Sequence, residues 1–233
     1  MDLAVSTVIF ALRAAEAGGV ATLWLPLVRR VREPHNGRWA LPGGPLEARE
    51  SLVAAAGRNL RQTTALEPAY LEQLYAFGDV ERSAAASVPA ERVVSIVYWA
   101  LVRPDQAEQA AVGENVRWFA ADDLPDLAFD HNSIVEYALW RLRTKLEYSR
   151  IALAFLGETF TLTDLREVHE AVLQRPLDPA NFRRQVEGSL VPTGSVVTGG
   201  RHRPPRLYRY NETIELVDNG PLGTKAGSNR AVS

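Results

Sequence analysis

Residues 39–66 read WALPGGPLEARESLVAAAGRNLRQTTAL. Leu41-Pro42-Gly43-Gly44 is a sharp break in the chain, because Pro fixes one backbone angle and Gly frees the next. Glu50 to Thr63 comes after it, rich in Ala and Leu, with Leu52, Ala56 and Leu60 at helical spacing. The reading outward is of a sheet. Val5–Leu12 and Thr22–Val28 are aliphatic and β-branched, and predict two strands joined by a turn through Ala14–Gly19. His35-Asn36-Gly37 is a second turn. Gln73–Asp79, Val93–Val102 and Val116–Ala120 predict further strands, with Arg82–Glu91 a mobile loop. Val93–Val102 is almost wholly apolar, so burial on both faces is expected. After a polar turn at Asp122–Pro125, His131–Glu147 predicts an amphipathic helix with Ile134, Ala138, Leu142 and Leu146 on one stripe.

Beyond that helix the pattern changes. Arg150–Leu156 predicts a short helix. Phe160–Asp164 opens a second, with Thr161 or Thr163 as N-cap and Leu165, Val168 and Val172 on its inner side. Asp178 then caps a third helix with Pro179 at its first position, ending at Gly188. Leu190–Val197 and Leu207–Tyr210 predict two strands around a Gly-, Pro- and Arg-rich loop. Helix, turn, helix and basic hairpin is the order of a winged helix-turn-helix. The division expected is 1–147 for the first domain, 148–217 for the second and 218–233 for a disordered tail.

The 233 residues include no Cys, which excludes disulfides, thiolate zinc sites and a thiol nucleophile. Met1–Arg13 lacks the basic start and cleavage site of a signal peptide, and no apolar run reaches the roughly 18 residues of a membrane span, so a cytoplasmic protein is expected. The net charge of −2 hides an asymmetry: residues 1–147 carry −4 and residues 148–233 carry +2. Arg175 to Arg209 holds seven Arg against Asp178 and Glu187. Such a basic stretch beside an acidic domain is either a solvated face or the electrostatic footprint of nucleic-acid binding. His35, His131, His169 and His202 show no metal-binding spacing. His131 reads as a cap partner at a helix start and His169 as a surface residue.

Gly44, Glu50, Arg58, Leu60 and Leu66 stand at the spacing of the Nudix box, G-x5-E-x7-R-E-U-x-E-E-x-G-U, and Trp39–Gly44 is what that family shows before it. The first domain therefore resembles a Nudix domain. Leu127-Ala-Phe-Asp-His131, Phe160-Thr-Leu-Thr-Asp-Leu165, Arg175–Arg184 and Arg203-Pro-Pro-Arg-Leu-Tyr-Arg209 extend the resemblance to the Nudix-related transcriptional regulators. It implies an α/β Nudix-type mixed sheet sandwiched by helices, plus a C-terminal winged helix-turn-helix domain. It also implies a homodimeric repressor of NAD synthesis or salvage genes, bound to palindromic double-stranded operator DNA, with ADP-ribose or a related NAD metabolite as effector.

The departures bear on chemistry. The box places three carboxylates at positions 59, 62 and 63, one side of a helix, where they gather Mg²⁺ around a pyrophosphate. Here those positions hold Asn59, Gln62 and Thr63, and Ala65 replaces the box glycine. No catalysis, no metal site and no Mg²⁺ requirement are expected. A pocket without those charges repels a pyrophosphate less, so effector binding is assigned to Arg38, Gly43, Gly44, Glu50, Arg58, Gln62 and Arg92. The three arginines pair phosphate well. Each also has a plainer role open: Arg58 as an ion-pair partner of Glu50 or Glu47, Arg92 as an exposed strand-start residue, Arg38 as a solvated turn residue.

DNA contact is assigned to Thr163, Arg175, Asn181, Arg183, Arg184, Arg201 and Arg203. The third helix lies in the major groove, where Asn suits adenine and Arg suits guanine or phosphate. Neighbouring helical residues point about 100° apart, so Arg183 and Arg184 cannot face one base together. Phe182 is expected in the core. Two other functions compete: a metal-dependent ADP-ribose or nucleoside-diphosphate-sugar pyrophosphatase with an accessory winged domain, and a winged domain that binds protein rather than DNA.

Overall fold

A computed structural model describes residues 2–13, 21–65, 70–80, 92–108, 110, 114–197 and 204–211. Its centre is β1 (Asp2–Arg13), paired in parallel with β6 (Val93–Val102) from Asp2↔Val93 to Ala11↔Val102. On its other side β1 runs antiparallel to β2 (Thr22–Arg29) and to β4 (Gly43–Pro45). Strand β3 (Trp39–Ala40) and β7 (Val116–Ala120) pair with β2, and β5 (Tyr70–Phe77) closes the opposite edge against β6. One parallel pair among antiparallel ones makes this a mixed sheet.

Both faces of the two central strands are dry, in keeping with the apolar run at 93–102. On β1, Val5, Ile9 and Ala11 point to one side, with Ala100 and Val102 of β6, under the helix α1 (Leu52–Thr64). Val8, Phe10 and Leu12 point to the other, with Val97, Trp99 and Leu101, under α3 (His131–Tyr148). This two-residue alternation is what lets one strand serve two helix layers. A one-turn helix, α2 (Pro104–Glu108), comes after β6, where no periodicity in the sequence signals it. Several boundaries differ from expectation, and β1 begins at Asp2 rather than Val5. Strand β5 begins at Tyr70 rather than Gln73, and Gly43–Pro45, a break by its composition, is a short strand as well. Helix α1 starts at Leu52 because Ser51 caps it, accepting from the Ala54 amide at 3.2 Å.

Helix α3 buries Ile134, Ala138, Leu142 and Leu146, the predicted stripe. Lys145 lies on that buried side, its ammonium donating to Glu72 Oε2 at 2.7 Å and to the Tyr70 hydroxyl at 2.8 Å. Next is a 3₁₀ turn, Ile151–Ala154, in place of the expected helix over 150–156. Then come α4 (Leu162–Leu173), α5 (Pro179–Val186) and the hairpin β8 (Leu190–Val196) and β9 (Arg206–Tyr210). The apolar core does not stop at residue 147. It runs from Val8 and Leu25 through α3 to Phe155, Leu165, Phe182 and Tyr210. Arg143 fastens the joint, donating to the Val172 carbonyl at 3.0 Å and to Asp122 at 2.7 Å. The turn at 14–19, the loop at 82–91, the loop between the last two strands at 198–203 and the tail at 218–233 lie outside the described residues.

Helix α1 ends on Ala65 in the left-handed region, at φ 56°, its amide donating to the Arg61 carbonyl at 2.8 Å. This is the box position that calls for glycine, and the reason is conformational: a Cβ is strained there. Ala65→Gly is therefore expected to raise stability by about 1 kcal/mol. A shift of the urea midpoint to higher concentration with unchanged slope will show it; a downward shift contradicts it.

Candidate functional site

The first candidate site lies where β4 meets the start of α1. Arg58 Nε and Nη2 reach Glu50 Oε1 and Oε2, both at 2.8 Å, and Nη2 also donates to the Pro45 carbonyl at 3.4 Å. Glu47 stands 3.8 Å away. This fork-to-fork pair holds the Glu50 carboxyl below the usual carboxylate range and raises the Arg58 guanidinium. Arg58 and Glu50 thus brace the β4–α1 loop. Of the two roles the sequence leaves open for Arg58, the ion pair with Glu50 is formed here.

The three positions that the box gives to carboxylates hold uncharged side chains. Asn59 is 4% exposed and its amide donates to the Val5 carbonyl at 2.8 Å, tying α1 to β1. Thr63 is buried as well, its hydroxyl donating to the Asn59 carbonyl at 2.7 Å. Gln62 is exposed, so the three positions do not share one environment. An ionised carboxylate only accepts hydrogen bonds and cannot make the Asn59 contact. These residues do not fit a Mg²⁺ site. Among the described residues no group of three or more His, Asp or Glu is placed to hold a metal ion.

Of the other effector candidates, Arg38 is exposed on the turn before β3, and its side chain makes no hydrogen bond or ion pair among the described residues. Arg92 starts β6 and donates to the Gly78 carbonyl at 2.9 Å. Both stand at the end of the sheet that carries Gly43 and Gly44. Gly43 is there for space: a Cβ would lie 2.9 Å from both Ser6 Oγ and the Val5 carbonyl. Gly44 faces open space. The residue that sequence reasoning undervalues is His131. It is buried, and its Nδ1 accepts from the Leu41 amide at 3.0 Å across 90 residues, pinning this loop to the start of α3. It is a clamp on the loop rather than a helix cap; nothing in the local pattern signals so distant a partner.

The second candidate site is the face of α5. Thr161 caps α4 through a reciprocal pair with Asp164, so Thr161 and not Thr163 is the cap. Asp178 caps α5, accepting from the Asn181 amide at 2.8 Å. Phe182 and Val186 are buried. Thr163, Arg175, Asn181, Arg183 and Arg184 are exposed. The helix sorts the arginines. Arg184 donates to the Asn181 side-chain carbonyl one turn back, so these two share a face. Arg183 turns aside to Glu187 at 3.3 Å. Arg201 and Arg203 fall outside the described residues, but Arg206, not singled out from the sequence, is exposed on β9. His169 is half-buried rather than on the open surface: its Nδ1 donates to the Leu165 carbonyl at 2.8 Å, and its ring lies 5.0 Å from that of Phe182.

The NUDIX domain family matches residues 4–138, and the NrtR DNA-binding winged helix domain family matches residues 152–210. The ADPR responsive transcriptional repressor NtrR of Acinetobacter baylyi is 32% identical over 195 residues, 81% of this chain and 76% of that protein. This chain belongs to the Nudix-related transcriptional regulator (NrtR) family. The crystal structure of Shewanella oneidensis NrtR complexed with a 27mer DNA superposes with a TM-score of 0.74 at 35% identity, covering 90% of this chain and 93% of that one. The ADP-ribose pyrophosphatase of Methanocaldococcus jannaschii is 30% identical over 116 residues, 49% of this chain and 66% of that protein. The family's architecture, a Nudix unit with a winged helix, is the one the fold displays.

Asn59 and the half-buried His169 each have a measurable consequence. Asn59→Glu breaks the bond to Val5 and buries a carboxylate, and is expected to cost about 2–4 kcal/mol at pH 7 and less near pH 4, where the acid is neutral. A loss relative to the parent protein that is equal at both pH values contradicts the Asn59–Val5 tie. Burial lowers the His169 pKa below its ordinary value of 6.5. The unfolded chain therefore binds the proton first, so stability is full above pH 6.5 and falls as the pH drops through that value. His169→Gln is expected to flatten this part of the denaturation profile; an unchanged slope places His169 elsewhere in the balance.

Proposed function

We propose that the chain is a transcriptional repressor that binds a palindromic operator as a homodimer and answers to ADP-ribose or a related NAD metabolite, held intact in the Nudix unit. The observation that carries the reading is the state of the box: of the three positions that gather metal in a hydrolase, Asn59 here fastens α1 to β1, and Gln62 and Thr63 carry no charge. Regulation of NAD synthesis or salvage genes, a division of labour near residue 147, and binding without Mg²⁺ belong to the same proposal. The names of the relatives support it, as does the DNA-bound Shewanella structure. The effector surface is drawn from Arg38, Gly44 and Arg92, the candidates left with open space or an exposed guanidinium.

In the operator complex, α5 enters the major groove with Asn181 and Arg184 toward the base edges and Arg183 on the backbone side. Arg175 and Arg206 meet phosphate. A second reading, a metal-dependent pyrophosphatase, is favoured by the likeness to the Methanocaldococcus enzyme. Binding of the winged unit to protein is distinguished by salt, since phosphate contacts release counterions and give a steep slope.

The test is a shift titration on the promoter beside the protein's own gene, with and without ADP-ribose, in magnesium. Sequence-specific, salt-sensitive binding altered by ADP-ribose is expected. Arg184→Ala is expected to weaken binding by about 1–3 kcal/mol and relax specificity at one base pair. Absence of DNA binding with consumption of the nucleotide makes the protein an enzyme.

A further inference from the structure

The core side of α5 settles which of its residues points furthest out. Phe182 and Val186 are buried. At about 100° per residue, their mean direction lies opposite to Arg184, which projects straight away from the core. Ala180 and Asn181 flank Arg184 within about 60°, while Arg183 lies well to one side. All four are exposed. Asp178 holds the start of the helix under this face, accepting from the Asn181 amide at 2.8 Å.

The two polar residues at the centre of the face are joined, for Arg184 donates from Nη2 to Asn181 Oδ1. A guanidinium only donates, so the atom it meets on Asn181 is the amide oxygen and not the nitrogen. The result is a surface of donors. It offers the two amide hydrogens of Asn181 and the remaining guanidinium hydrogens of Arg184, and the one acceptor of the pair is covered. Glu187, the nearby carboxylate of this helix, is engaged by Arg183 at 3.3 Å.

The four bases answer such a surface differently. In the major groove guanine offers two acceptors, O6 and N7. Adenine offers N7 beside an amino donor at N6, thymine one acceptor beside a methyl group, and cytosine an amino donor. An Asn side chain pairs adenine bidentately only by accepting from N6 at its oxygen. Here that oxygen carries the Arg184 guanidinium, so N6 would meet a cation, donor against donor. Taken one by one, Asn suits adenine and Arg suits guanine; joined, they suit one base. We infer that Asn181 and Arg184 act as a single unit that reads guanine, Arg184 as the base contact and Asn181 as the residue that positions it. The inference rests on the operator-binding reading proposed above and names the base that this part of α5 selects.

The test is selection of bound duplexes from a random-sequence library by the full-length protein, followed by titration of the selected duplex carrying base analogues. Each half-site is expected to hold a guanine whose replacement by 7-deazaguanine, which lacks the N7 acceptor, or by an A·T pair weakens binding about 5- to 150-fold. Arg184→Ala is expected to bind all three duplexes alike. Asn181→Ala is expected to lower the preference at that same pair and at no other, and the double variant to match Arg184→Ala, all with unchanged circular dichroism spectra. The analogue titrations use the unaltered protein, so they decide the matter even where a variant folds poorly. An adenine whose replacement by 7-deazaadenine weakens the unaltered protein but not Asn181→Ala overturns the inference and leaves the repressor standing. So does an equal loss on every duplex from Arg184→Ala, which makes Arg184 a phosphate contact. Binding without sequence preference, or no binding, overturns the inference and the operator reading together.

Discussion

One helix has to bury a single stripe against two neighbours, and the architecture depends on that. The stripe of α3 closes the sheet over Phe10, Trp99 and Leu101, and the same core continues into the winged unit through Phe155, Leu165 and Phe182. Lys145, buried on this helix, reaches back to Glu72 and Tyr70. A charge in such a place is tolerated only when paired and hydrogen-bonded. It fixes how α3 turns on the sheet, and Arg143 fixes how the winged unit sits on α3. At its other end His131 holds the loop that carries Gly43 and Gly44. A chain of buried contacts thus joins that loop, through α3, to the winged unit.

Much of this is legible in the sequence because it is written in local periodicity. The run Val93–Val102 shows its strand and its two-sided burial together, since no polar alternation interrupts it. The stripe Ile134, Ala138, Leu142 and Leu146 shows the orientation of α3. Asp178 and Pro179 mark the start of α5, and Phe182 lies in the core as its apolar character demands. Short elements without a period are not legible. The pairing of Gly43–Pro45 with β1 and the one-turn helix at Pro104 arise from tertiary contact rather than from propensity. Likewise, no spacing rule joins His131 to Leu41 or Asn59 to Val5.

The candidate site at the start of α1 illustrates the difference between losing a residue and replacing its purpose. Three lost carboxylates read in sequence as an absence. In the fold, Asn59 and Thr63 make hydrogen bonds that carboxylates cannot, and the Arg58–Glu50 pair stands as a brace. The site carries Gly43 and Gly44, and the residues beneath them do not suit a metal. This fits a sensor that must hold a nucleotide without consuming it.

That central claim is tested most directly by calorimetric titration of ADP-ribose into the full-length protein, once in EDTA and once in Mg²⁺, with the ligand then recovered and analysed by chromatography. A sensor of this kind shows the same saturable binding in both buffers and returns intact ADP-ribose from each. Binding that requires Mg²⁺, or conversion of the ligand to AMP and ribose phosphate in its presence, would contradict it.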